Sequence, residues 1–182
     1  MAWTSPMTAV AGDPFTAAQF NTHVRDNLLA TGPAVATGPG GILATTGANA
    51  ITQRTPSNSF VGDSNSTTDT GWVDLAAHGP EVTVQTGPFA FVFLTTRLSH
   101  GSGGSGGGEN RMSFEVTGAS SIVAASGRAL IMRPASPSQE MRLSVLVFLH
   151  NLTPGLNTFT AKYSSRNGTA YFSQRELSVF PF

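Results

Sequence analysis

The chain of 182 residues is long enough for one good-sized domain plus an appendage. Apolar residues make up 40%, enough for a real core, whereas charged residues make up only 11%, against about a quarter in ordinary soluble domains. Ten basic and ten acidic residues, spread thinly with no basic run, leave no footprint for nucleic-acid phosphates, and so neutral a chain suits an assembly better than a free monomer.

The absence of cysteine removes disulfides, thiolate metal sites and cysteine nucleophiles together. Residues 1–14 show neither the basic start nor the apolar stretch of a signal peptide. No apolar run approaches the roughly 20 residues of a membrane span. The three N-x-[ST] triplets, at Asn65, Asn151 and Asn167, therefore read as chance matches.

In chain order, residues 14–33 spell the one convincing helix. Thr16 followed by Gln19 makes a capping box, and Phe15 with Phe20 has the spacing of a hydrophobic staple. Phe20, Val24 and Leu28 fall at i, i+4 and i+8 on one narrow apolar stripe. Gly32 and Pro33 read as the stop, glycine for a left-handed cap and proline to bar continuation. A helix of about four turns is marginal alone in water, so the stripe must pack on something. Residues 31–57, rich in Gly, Ala, Thr and Pro, cannot build a core of their own. They read either as a flexible linker or as an extended segment, with a short hairpin around Gly47, Ala48 and Asn49, that pairs with other copies or a partner.

From Ser59 onward the pattern is β. Residues 81–86 and 111–116 alternate with period two, the latter placing Met112, Phe114 and Val116 on one face. Residues 89–98 and 141–150 are nearly continuous apolar runs that read as central strands covered on both faces. Further strands are expected at 121–125, 128–133, 157–164 and 169–180, with turns at the Gly and Pro pairs between them. Asn167-Gly168 is the strongest hairpin signal. The expected architecture is mainly β: a C-terminal antiparallel β-sandwich, jelly-roll-like, over 58–182, behind an N-terminal helical anchor and extended trimerisation or docking segment over 1–57.

Candidate chemistry is sparse. The glycine run 101–108 lacks the Gly-Lys-Ser/Thr ending of a phosphate loop and reads as a flexible surface loop. Oxygen side chains at Asp63, Asn65, Thr67 and Asp69, with Asp74 beyond, echo a calcium loop. Thr68 stands where the sharp-turn glycine belongs and no entering helix precedes it, so an ordinary polar turn is the better reading and no metal site is assigned. The histidines His23, His78, His100 and His150 form no ligand-type pair. No nucleophile elbow is present and no spacing pairs two carboxylates, so no catalytic residue and no cofactor are assigned. A carboxylate pair made by folding stays open. Trp72, Tyr163 and Tyr171 could stack against a sugar ring, although core or subunit packing is the commoner use of such aromatics.

Residues 1–4 (Met-Ala-Trp-Thr), 10–13 (Val-Ala-Gly-Asp) and 15–29 together resemble a recurrent N-terminus of small tail, fibre and head-decoration proteins of tailed bacteriophages, especially those infecting actinobacteria. Residues 41–50 are similar to the stretch that often follows it, and 152–163 with 168–177 look like the closing strands of their β domains. The resemblance covers about a third of the chain. It implies a non-enzymatic virion surface protein, usually a homotrimer, made in the host cytoplasm and docked through its N-terminal segment to major capsid or tail proteins. No repeated shaft or long coiled coil follows, which favours a compact capsid decoration or head spike over a long tail fibre. On this reading Phe15, Phe20, Val24 and Leu28 form the trimer or docking helix. The alternative is a tail-tip module that recognises host cell-surface glycan through Trp72, Tyr171 and the glycine-rich loop 101–108.

Overall fold

In a computed structural model, which describes residues 3–101, 108–135 and 139–182, the chain divides into two compact units between Thr55 and Pro56. The first unit holds helix α1 (Ala17–Phe20), a π-helical turn (Asn21–Arg25), α2 (Asp26–Leu29) and α3 (Gly32–Val35), followed by the strands β1 (Ile42–Gly47) and β2 (Ala50–Arg54). Thr16 caps the helix: its hydroxyl accepts from the Gln19 amide while the Gln19 side chain accepts from the Thr16 amide. The rings of Phe15 and Phe20 meet edge-on at 6.2 Å, closing the staple. Gly32 does not end a helix in a left-handed cap. Gly32 and Pro33 instead open α3 behind Thr31, where a proline lacking its N–H costs nothing. The strands β1 and β2 form an antiparallel hairpin whose turn places Asn49 at φ 55°, a left-handed position that asparagine tolerates.

Among the described residues the second unit is an antiparallel sandwich of nine strands: β3 (Ser57–Val61), β4 (Asn65–Thr67), β5 (Glu81–Thr86), β6 (Ala90–His100), β7 (Glu109–Gly118), β8 (Leu130–Met132), β9 (Glu140–Leu149), β10 (Gly155–Arg166) and β11 (Ala170–Pro181). One sheet runs β5-β10-β7-β8, the other β3-β11-β6-β9 with β4 paired on β11. From β5 to β7, and again from β8 to β11, successive strands alternate between the sheets, which is jelly-roll-like. The core lies between the inner faces. Met112, Phe114 and Val116 of β7 and Phe159 of β10 face Val92, Leu94 and Leu98 of β6 and Phe172 of β11, all at 0–1% exposure. Tyr163 of β10 and Phe172 of β11 touch across the two layers, ring centroids 4.9 Å apart.

Three expectations about the strands change. Residues 121–125 make only one bridge, Ile122 to Val116, on the edge of β7 beyond the short stretch 110–112 that pairs with β8. Asn167 and Gly168, at φ 57° and 129°, do make a tight turn, but the strands they join belong to different sheets; the turn is a corner of the sandwich and no hairpin. Lastly, β6 and β9 are covered on one face alone: β9 lies at the edge of its sheet, and the outward Phe93, Leu146 and Phe148 remain exposed.

Phe159 is fully buried beside Phe114, with ring centroids 6.2 Å apart. Truncation by Phe159→Ala should cost about 3–5 kcal/mol through lost transfer and the cavity left behind. Denaturant unfolding of the two proteins checks this, and an unchanged midpoint would remove Phe159 from the core.

Candidate functional site

Within the first unit, the helical face that finds partners is polar. The Asn27 carboxamide clamps the backbone of Thr4, accepting from its amide at 2.8 Å and donating to its carbonyl at 2.9 Å. One turn earlier, the Nδ1 of His23 lies 3.0 Å from the Ser5 carbonyl and donates to it. Trp3 donates its amide to the Asn49 carbonyl at the hairpin tip. Residues 3–5 are thus laced to helix and hairpin by backbone polar groups, with little apolar packing.

The apolar stripe is left outside. Phe15, Phe20, Leu28 and Leu29 are exposed by 57, 48, 60 and 48%, and Val24 is half-buried. Val24 and Phe15 line a cavity of about 360 Å³ with residues 6–10. The π turn, in which Asp26 donates to the Asn21 carbonyl five residues back, rotates Leu28 away from the line a plain α-helix would keep with Phe20. Among the described residues of this unit, Ala30 and Ala44 are the buried apolar side chains.

In the sandwich, Trp72 is half-buried beneath the Arg111 guanidinium, which sits 5.3 Å above its ring. Arg111 points outward from β7 and donates to the Thr70 carbonyl and the Ser164 hydroxyl, pinning the segment that carries Trp72. Tyr171 is exposed on β11, between the inward Ala170 and Phe172, and so lies on the outer face of the other sheet. The fold does not bring the two aromatics together into one platform. The expected polar turn after Asp63 is tied up internally: Asn65–Thr67 is strand β4, the Thr67 hydroxyl donates to the Asp69 carboxylate, and the Asp63 carbonyl accepts from Arg175. Among the described residues no cluster of three His, Asp or Glu side chains could hold a metal. No described helix is long and apolar enough to cross a membrane.

Arg175 was not legible as a site residue. A bulge between Ser173 and Glu176, with Gln174 at φ 48°, switches which residues of β11 face inward, from Ala170 and Phe172 to Arg175, Leu177 and Val179. Arg175 is fully buried, donates to the carbonyls of Asp63 and Ala77, and lies 5.6 Å over the Tyr163 ring. Together Arg111 and Arg175 fasten the long 62–79 segment to the sandwich. Lys162 gathers the carboxylates that sequence spacing could not pair: its Nζ lies 2.8 Å from Asp74 and 3.1 Å from Glu115. Burial alone would lower the ammonium, but the hydrogen bonds to Asp74 and Glu115 outweigh it and hold Lys162 above its ordinary value. That ammonium fills the gap between the carboxylates where a glycosidic bond and its attacking water would sit, so the trio is an ion network. The glycine run 102–107 lies outside the described residues. Beside it, buried His100 donates from Nδ1 to the Asn110 carboxamide 3.0 Å away.

The fold class is therefore an antiparallel β-sandwich joined to a small helical and hairpin unit. No protein-family model matches the sequence, and no curated protein matches it. Among solved structures it is similar to an isomalto-dextranase of Arthrobacter globiformis T6 complexed with panose, at 13% identity and a TM-score of 0.33, covering 74% of this chain and 26% of that one. This chain thus spans about a quarter of that enzyme. It is also similar to the C-terminal CBM6 of LamC, a laminarinase from Zobellia galactanivorans (13% identity, TM-score 0.32, 67% of this chain and 99% of that one). A third is the carbohydrate-binding module CBM6cm-2 of Cellvibrio mixtus lichenase 5A in complex with cellotriose (17%, 0.32, 68% and 96%). Likenesses of this size carry no argument about function.

Burial pushes the Tyr163 hydroxyl up to about 12, with the neighbouring Arg175 guanidinium opposing the rise in part. Above pH 10 the unfolded tyrosine loses its proton while the folded one keeps it, so stability falls through the window from 10 to 12. Tyr163→Phe should remove on the order of 2 kcal/mol of that loss. Unfolding free energies measured between pH 9 and 12 check it; identical slopes for the two proteins would contradict it.

Proposed function

We propose that the chain is a non-enzymatic structural protein of a tailed-phage particle, docked through its first unit and displaying the sandwich outward, as a homotrimeric capsid decoration or head spike. The observation that carries this reading is the imbalance within the first unit. Among the described residues of the unit, Ala30 and Ala44 are the fully buried apolar side chains, which is little against the conformational entropy lost in ordering its helices and hairpin. The apolar groups that could make up the difference, Phe15, Phe20, Leu28 and Leu29, face outward.

A surface of this kind is completed by other chains. Three copies that bring these side chains together about an axis, or against a capsid or tail protein, would each gain several kcal/mol of apolar burial. The resemblance of residues 1–29 to phage head and tail proteins supports the particle as the place of docking. The sandwich needs no such help, since its core is complete.

Phe20→Asp with Leu28→Asp should reduce the chain in purified particles roughly tenfold or more, because a charge at each contact leaves an uncompensated buried carboxylate. The melting of the sandwich should be unchanged. Immunoblots of particles beside calorimetry of the isolated chain check both points, and normal incorporation of the variant would overturn the docking reading.

A further inference from the structure

The outer face of the β3-β11-β6-β9 sheet carries a second apolar surface that lies wholly in the sandwich. The strand register places its side chains in rows. Phe180, Phe91 and Phe148 form one row, and Ser178, Phe93 and Leu146 the next, with Phe89 beside the first. The rings are in mutual contact: Phe148 stacks on Phe89 at 5.9 Å and meets Phe91 at 5.1 Å, while Phe93 meets Phe180 at 5.8 Å. Phe89, Phe93, Leu146, Phe148 and Phe180 are 37–51% exposed. At roughly 150–250 Å² per aromatic side chain, the six residues present on the order of 500 Å² of apolar surface. That is at the upper end of what a monomer leaves open, and patches of that size mark interaction sites.

We infer that this face is a homotypic interface, packing against the same face of another copy of the chain. Two faces of on the order of 500 Å² bury about 1,000 Å² together, which reaches the lower bound for a specific contact between chains. The two apolar rows contain no charged side chain; charges begin in the rows beyond, with Glu176 and then Arg97 opposite Arg142. A face of this composition can meet its own copy without burying an unpaired charge, and sheets pack face to face about 10 Å apart in that way. The polar groups beside the rings are few: Asn58 and Ser178 within the second row, Glu176 and Thr95 beyond it, and the His150 ring 6.2 Å from Phe148 at the other end. The rings themselves give no hydrogen-bond partner to the hydroxyls of a sugar or to a peptide backbone. The exposed face of β6 and β9 is then the second covered face that their apolar sequences call for, supplied by another chain.

The inference stands apart from docking by the first unit, and the test separates them. Full-length chain carrying Phe20→Asp and Leu28→Asp, which silences the helical stripe, is compared with the same chain carrying Leu146→Glu and Phe148→Glu as well. Sedimentation equilibrium over a concentration series reads the mass. The first protein should sediment as a multiple of the 18.9 kDa chain, and the second as a single chain, its dissociation constant raised about a hundredfold or more. Both glutamates replace half-exposed side chains, so circular dichroism should show the sandwich intact in each. A single-chain mass for the first protein at every concentration, or an unchanged multiple for the second, would overturn the inference.

Discussion

Alternation along the strands is the constraint from which the rest of this protein follows. Each long strand of the sandwich sends every second side chain inward, and the two inner faces meet in a core that includes Phe114, Phe159, Phe172 and Tyr163 at zero exposure. Once that core is closed, the loops have a rigid surface to lie on. The 62–79 segment is fastened there by two guanidiniums, Arg111 from the outer face of one sheet and Arg175 from within the sandwich. Arg175 can reach the segment only because the bulge at Gln174 breaks the alternation once.

The first unit obeys a different logic. Its helix, hairpin and N-terminal segment are held by caps and hydrogen bonds to the backbone, which define shape but contribute little net stability. Its larger apolar side chains point away from the unit. The sandwich, for its part, has one polar outer face, studded by Lys162, Asp74 and Glu115, and one outer face with a phenylalanine field. The chain thus presents two apolar surfaces, one in each unit, and both are of the kind that assemblies cover.

What could be read from the sequence was what depends on near neighbours along the chain. The capping box, the staple and the period-two runs rest on spacings of a few residues, and each appears in the structure. The glycines and asparagines at the Asn49 and Asn167 turns were equally legible, since a left-handed residue announces itself locally. Partnership across the sheet was not. Nothing near Asn167 says that β10 and β11 part company into different sheets, and nothing near Gly32 says that a new helical turn begins there. Trp72 reads from the sequence as either a stacking or a packing aromatic, and its partner Arg111 lies 39 positions away. Arg175 could not be singled out because the bulge that turns it inward has no local signature. The continuous apolar runs of β6 and β9 were legible as doubly covered strands, yet a single chain covers only one of their faces.

Hydrogen–deuterium exchange on the dilute, isolated chain would test most directly the claim that the sandwich stands alone while the first unit requires partners. The account predicts slow exchange throughout β5, β6, β7, β10 and β11, and exchange near the unfolded rate in α1, α2, β1 and β2, which become protected only when the chain is assembled. Protection of the helix and hairpin equal to that of the sandwich strands, in a chain shown to be monomeric, would contradict it.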